Sequence, residues 1–283
     1  MTARKQPDPS ASIVAAWWES AITEIAPGSI RVRGYAIEDL VGRISFPAMI
    51  WLTLRGDLPT PQQAYLLEAV LVAGVDHGPQ SPSIAIARMA ITCGIGINGA
   101  IASGVNALGD VHGGAGQQCM ELLARIDQQW RSGTGLDIAV AETLAEYRAA
   151  GGPFVPGFGH RFHQIDPRAA RISGLMEEAV REKVIGGRFL EVGQALRSEL
   201  SRGKVKPLPM NIDGITAVLL LELGFPKELG RGIFVLSRAV GICAHAFEQL
   251  QRGERIKGPI PPEFGFHYAG LPARELPDDE PLP

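Results

Sequence analysis

The sequence predicts an all-α fold. Three observations carry this. Apolar residues recur at helical spacing in segment after segment, and alternating strands are nearly absent. Of 283 residues, 46% are hydrophobic, enough for a large core, while aromatics are only 6%, which argues against a tryptophan-rich β-sandwich. Glycine is abundant, 34 residues, and an excess over the usual ~7% points to close helix packing or loops that hug a ligand.

In chain order, 12–25 has the pattern of a helix, and Ile30–Gly34 is short and β-like. Pro47–Leu54 is helical in pattern and is broken by Gly56-Asp57-Leu58-Pro59. Thr60 then has the chemistry of an N-cap and Pro61 that of a first helical residue, starting a helix to about Val75. Ser83–Thr92 and the glycine-rich run that follows form a small-residue helix pair within Ile84–Leu108. Ala115–Gln129, Ile138–Ala149, Pro167–Val184, Arg188–Ser201, Gly214–Leu223 and Pro226–Gln251 complete the helices. Glycine- and proline-rich loops around His112, around His160 and before Asp213 divide the chain.

Lys+Arg 27 against Asp+Glu 30 gives a net charge of −3. That balance argues against a nucleic-acid binder held by bulk positive charge and against a polybasic membrane anchor. The apolar stretch Ile84–Leu108 is interrupted by Arg88 and diluted by Asn98, Ser103 and Asn106, so it is expected to be a buried helix pair and not a membrane span. Cys93, Cys119 and Cys243 form no C-x-x-C pair and are odd in number, which suits a reducing compartment. No apolar run follows Met1–Ser10, so a cytoplasmic protein is expected.

The histidines are few and oddly placed. His77 lies in Val-Asp-His-Gly-Pro, His112 in Asp-Val-His-Gly-Gly-Ala, and His160 in Pro-Gly-Phe-Gly-His-Arg. Glycine beside a histidine lets backbone pass close to a ligand while a loop presents the imidazole. Asp213, in Met-Asn-Ile-Asp-Gly, is a lone carboxylate among apolar residues at a helix start. It is either a base of raised pKa or merely the cap of the next helix. His245 fits a satisfied buried helix histidine, and His163 and His267 carry no assignment. A zinc site from His77, His112 and His160 has neither a short paired spacing nor a cysteine ligand, so no metal is expected.

Taken together, these segments resemble the citrate synthase superfamily, and most of all its citryl-CoA lyase branch. The resemblance runs through Arg33-Gly34-Tyr35-Ala36-Ile37-Glu38-Asp39-Leu40, Gly56-Asp57-Leu58-Pro59-Thr60, Asp76-His77-Gly78-Pro79 and Gly109-Asp110-Val111-His112-Gly113-Gly114-Ala115. It continues through Gly157-Phe158-Gly159-His160-Arg161, Asp166-Pro167-Arg168, Asn211-Ile212-Asp213-Gly214 and Phe234-Val235-Leu236-Ser237-Arg238. Asp-His-Gly-Pro and Asn-Ile-Asp-Gly look like the lyase module of ATP-citrate lyase, whereas His112-Gly-Gly-Ala is the synthase form of its loop. The resemblance implies a large helical domain (1–112 with 213–283), a smaller helical lid domain (113–212), a cleft site between them, and a homodimer.

It further implies that His112, His160 and Asp213 are catalytic and that His77, Arg161 and Arg238 grip substrate carboxylates. The backbone of Gly157, Phe158 and Gly159, with Arg202, Lys204 and Lys206, would meet coenzyme A, which enters as a thioester substrate. No cofactor is bound permanently. The partners implied are an acyl-CoA and a 2-oxo acid or hydroxy-polycarboxylate, with no nucleic acid and no membrane. The implied reaction is cleavage of citryl-CoA, or a related 3-hydroxyacyl-CoA, to acetyl-CoA and an oxo acid. Citrate or 2-methylcitrate synthase is the close rival and a catalytically silent family member the distant one. One departure stands out. Where the family supplies a further arginine near the C-terminus, this chain has Arg255-Ile256-Lys257-Gly258-Pro259. Either Lys257 or Arg255 substitutes, or the substrate lacks one carboxylate or carries a bulkier group there.

Overall fold

The structure is a computed structural model, and it describes residues 16–152, 154–159 and 166–275. It opens on a small antiparallel meander, β1 (Thr23–Ala26), β2 (Ser29–Val32) and β3 (Tyr35–Ala36), in register Thr23↔Val32 and Val32↔Tyr35. Arg33 and Gly34 both have positive φ, +50° and +88°, the combination a two-residue hairpin needs. Arg33 then anchors the meander by donating to the Thr53 carbonyl at 2.9 and 3.2 Å. This corrects the expected helix over 12–25. Only Ala16 and Trp17 among its described residues are helical, and Thr23–Ile25 is extended. The β-branched residues Thr23 and Ile25 find partners across the Pro27-Gly28 turn, and that pairing outweighs the helical spacing.

Helices follow: α1 (Ile37–Leu40), α2 (Phe46–Arg55), α3 (Pro61–Gly74), α4 (Pro82–Thr92), α5 (Ile97–Asn106) and α6 (Ala115–Arg131). Next come α7 (Leu136–Ala149), α8 (Pro167–Arg181), α9 (Arg188–Ser201), α10 (Ile212–Glu222) and α11 (Gly230–Gln251). Their starts have local causes. Ser45 caps α2 by accepting from Ala48 N–H at 3.3 Å, and Thr60 and Gln63 form a reciprocal capping box on α3, at 3.2 and 2.9 Å. The carboxylate of Glu222 closes the start of α9, accepting N–H groups from Gly187, Phe189 and Leu190. The expected single helix over 226–251 is a 3₁₀ turn, Lys227–Leu229, running into α11.

One large core joins α2 and α3 to α6–α10. Cys119, Met120, Leu122, Leu123 and Ile126 supply the buried face of α6, and Val218, Leu219 and Leu220 lie at its centre. Each fully buried Leu or Ile there contributes about 1.5–3 kcal/mol of transfer free energy. A second core holds α4 and α5 against the far half of α11 through Ile84, Ala87, Ala100, Ile242 and Ala246. A Cβ at Gly104 would lie 2.7 Å from the Ser83 carbonyl, so α4 and α5 meet where only a hydrogen fits. By length and composition α11 is apolar enough to cross a membrane, yet here it runs from one core to the other with Arg238 and Gln249 buried on it.

Candidate active site

Where the two cores meet lies a cavity of ≈ 470 Å³. Its walls come from five stretches far apart in sequence: the end of α3 with the loop after it, the loop before α6, the start of α8, α10, and the first half of α11. His77, His112, Arg168, Asp213 and Arg238 all line it. Val70, Leu220, Ile233 and Phe234 give it an apolar side.

His112 is held from behind by the start of α4. Its Nε2 accepts the Ser83 backbone N–H at 3.2 Å, with the Ser83 hydroxyl 3.0 Å away. That N–H is one of the unpaired donors at a helix start. Because Nε2 is an acceptor, the proton of the neutral ring sits on Nδ1. Burial, then the charges of Arg238 and His77, keeps the imidazole below its ordinary pKa. On this geometry His112 is a neutral ring with its proton on Nδ1.

Asp213 stands in the first turn of α10. Asn211 is the cap of that helix: its Oδ1 accepts from Asp213 N–H at 2.9 Å and from Gly214 N–H at 3.2 Å. The capping task thus belongs to Asn211 and not to Asp213. No hydrogen bond reaches the Asp213 carboxyl from the described residues. Burial pushes its pKa up, against the pull of Arg168, Arg238 and His77, with Asp166 adding to the rise. Beneath it, Cys119 is fully buried, and burial and the Asp213 charge drive its thiol pKa up.

The glycine loop is stitched to this helix start. Phe158 pairs with Met210, Gly159 N–H donates to Pro209 O at 2.8 Å, and Asn211 donates Nδ2–H to Gly159 O at 2.8 Å and its backbone N–H to Gly157 O at 3.0 Å. Gly157 has φ +85°, and a Cβ there would come within 2.7 Å of both Cys119 Sγ and Gly214 Cα. Glycine is required by both conformation and space.

Arg238 is buried on α11. Its Nε donates to Gly74 O at 2.9 Å, and its guanidinium lies 4.8 Å from the centre of the Phe234 ring. Arg168, at the start of α8, is gripped by Asp166 through Nε and an Nη at 3.1 and 2.9 Å.

The structure thus brings together His77, His112, Asp213 and Arg238. His160 and Arg161 lie outside the described residues. Gly157, Phe158 and Gly159 stand beside Asn211, one layer behind the cavity wall. Arg202, Lys204 and Lys206 are exposed on the loop leading to Met210, with Arg202 paired to Glu199 at 2.7 Å. Three contributors went unassigned in the sequence. Arg168 and Asn211 sit in the matching runs and carry a signal, a carboxylate two residues before an arginine and an Asn at the cap position. Ser83 carries none. Among the described residues no three His, Cys, Asp or Glu side chains are grouped to hold a metal ion.

Chemically, a neutral N–H donor and a carboxyl of raised pKa in one cavity suit proton transfer at a carbon next to a carbonyl, with the donor meeting the developing oxyanion. Two guanidinium groups in the same wall suit a carboxylate substrate.

Comparison with known proteins agrees with this geometry. The chain is similar to citryl-CoA lyase from Hydrogenobacter thermophilus, with 34% identity and a TM-score of 0.80 over 92% of this chain and 97% of that one. ATP citrate lyase from Methanothrix soehngenii, solved with citrate and coenzyme A, shares the fold at 20% identity and a TM-score of 0.75, over 95% of this chain and 45% of that one. Citrate synthase from Haloferax volcanii is 28% identical over 205 residues, 72% of this chain and 51% of that protein. The chain spans about half the length of the curated relatives it matches. Residues 60–259 match the family described as citrate synthase, C-terminal domain, and the chain belongs to the citrate synthase family.

Proposed function

We propose that this protein is an acyl-CoA carbon–carbon lyase that cleaves citryl-CoA, or a related 3-hydroxyacyl-CoA, to acetyl-CoA and oxaloacetate or another oxo acid. The observation that carries the reading is the pairing, in one cavity, of a His112 ring fixed as a neutral Nδ1–H donor with an Asp213 carboxyl whose pKa is raised. His160 takes the proton from the substrate hydroxyl. The carbon–carbon bond breaks, and its electron pair moves into the thioester carbonyl as an enolate. His112 Nδ1–H holds the enolate oxygen. Asp213 enters protonated and delivers its proton to the terminal carbon, giving acetyl-CoA. Arg238 and Arg168 hold the carboxylates, with His77 on the same side. Coenzyme A enters and leaves as the thioester; it is a substrate and not a resident group.

The same groups run in reverse for condensation, and a citrate or 2-methylcitrate synthase is the second reading. It is favoured by the synthase form of the His112 loop. A homodimer is part of the proposal. It is supported by an apolar stripe on α11 at helical spacing, Leu236, Val240, Phe247 and Leu250, 46–60% exposed, and by exposed Phe264, Phe266 and Tyr268 beyond it.

The test is a pair of incubations. With citryl-CoA, the lyase releases acetyl-CoA and oxaloacetate, the latter read by coupled NADH oxidation. With acetyl-CoA and oxaloacetate, release of free coenzyme A marks the synthase and overturns the lyase reading. No turnover in either, across a panel of 2-oxo acids, overturns both.

A further inference from the structure

Helix α11 grips the end of α3 and the loop after it at four successive points. Ser237 Oγ donates to Leu71 O at 2.5 Å, and Arg238 Nε donates to Gly74 O at 2.9 Å. Gly241 faces Val75 so closely that a Cβ there would lie 2.2 Å from the Val75 carbonyl. Last, His245 Nε2 lies 3.2 Å from Asp76 Oδ1. The Asp76 carboxylate also accepts N–H groups of its own loop, from Gly78 at 3.2 Å and from His77. One carboxylate therefore ties helix and loop together, and one of its two backbone donors is His77 itself, which lines the cavity. His245 is half-buried, with Glu248 3.7 Å from its other ring nitrogen. No step of the reaction uses either side chain.

We propose that Asp76 and His245 are positioning residues: their pair fixes the loop that aims the His77 imidazole into the oxo-acid side of the cavity. The first two grips hold α3 itself, and Gly241 holds Val75 by shape alone. Of these four grips, the Asp76–His245 contact is the one that reaches the side of the loop that carries His77. A carboxylate bonded to two backbone N–H groups and an imidazole is a strong local fixture, because bonds to a charged acceptor are about twice as strong as neutral ones. Loosening it lets His77 sample positions that no longer meet a carboxylate, while the coenzyme A side of the site is untouched. The ligand named here rests on the lyase reading; the aim of His77 does not.

The experiment uses the full chain with ¹³C-labelled histidine, comparing His245→Gln and Asp76→Asn with a control, His267→Gln, in the exposed C-terminal segment. The His77 ring signal, assigned by its loss in His77→Asn, is expected to move in both loop variants and to stay put in the control. The oxaloacetate Kd is expected to rise about tenfold, the share of one charge-assisted hydrogen bond, with the acetyl-CoA Kd within about twofold. An unmoved His77 signal overturns the proposal, and so does equal weakening of both ligands, which would mark general loosening. Asp76 is 42% exposed, so Asp76→Asn tests the contact with little risk to folding. If the wild-type chain binds neither ligand, the lyase reading falls while the His77 signal still decides the positioning role.

Discussion

At the end of α3, Asp76 receives N–H groups from His77 and Gly78 and faces the His245 imidazole; at the start of α10, Asp213 receives no hydrogen bond from the described residues, because Asn211 has taken the donors beside it. The two carboxyl groups serve one cavity, and their pKa values move in opposite directions. For Asp76, desolvation raises the value, but the N–H donors of Gly78 and His77 and then His245 bring it below the ordinary one. For Asp213, desolvation wins over Arg168, Arg238 and His77. The difference is one of local donors. A carboxylate supplied with N–H groups becomes a fixed anion that organises a loop; one deprived of them becomes a group able to hand over a proton.

The largest test of this contrast is Asp213→Asn. Citryl-CoA turnover is expected to fall about 10²–10⁴-fold, the share of one general acid or base, while Asp76→Asn retains most of kcat. Comparable losses in the two variants would erase the distinction. Asn211→Ala sharpens it by making Asp213 resemble Asp76. The N–H groups of Asp213 and Gly214 lose their acceptor and become open to the Asp213 carboxylate, which lowers its pKa. The proposed cleavage needs protonated Asp213, so the pH at which activity is lost on the alkaline side is expected to shift downward. The missing cap costs about 0.5–2 kcal/mol, read as a lower Tm.

The smallest effect is on stability, and its sign separates the two groups. The folded pKa of Asp213 lies above the unfolded 3.8, so the stabilisation from its protonation is complete at acid pH and is lost as pH rises through the folded value. Asp213→Asn is therefore expected to raise Tm at pH 7, by about 2–4 °C per kcal/mol for a chain of this size, and to lose that advantage below pH ~4. The folded pKa of Asp76 lies below 3.8, so its contribution is present above that value and is lost as pH falls through the folded one. Asp76→Asn is expected to lower Tm at pH 7, by less, because Asp76 is partly exposed and water screens its charge. Thermal scans of both variants from pH 3 to 8 decide it; shifts of the same sign would refute the opposed tuning.

Much of this arrangement was legible in the residues. Thr60-Pro61 announced α3, and glycines beside His77, His112 and Asp213 marked where backbone crowds a site. Periodicity gave α6 to α11 within a few residues. Other parts were not legible, for identifiable reasons. Thr23–Ile25 pairs with residues across a turn, and a helical spacing nearby concealed that. The tautomer of His112 depends on Ser83, 29 positions away, which becomes its neighbour only when α4 packs beside the loop. Asp213 and Asn211 are both good capping residues, and the sequence alone does not say which one takes the N–H groups. His245 was expected to be a satisfied helix histidine, and it is; that its partner would be the residue next to His77 follows only from the crossing of α3 and α11.

Cys119 gives the chain a built-in gauge. Its sulfur lies sealed under the Asp213 carboxyl, roofed by Gly157 with no room for even a methyl group, whereas Cys93 is exposed. An alkylating reagent has no path to the inner sulfur until the glycine roof lifts away from α10. Labelling of Cys119, timed against the prompt reaction of Cys93, clocks how often the floor of the pocket breathes, with no foreign reporter introduced.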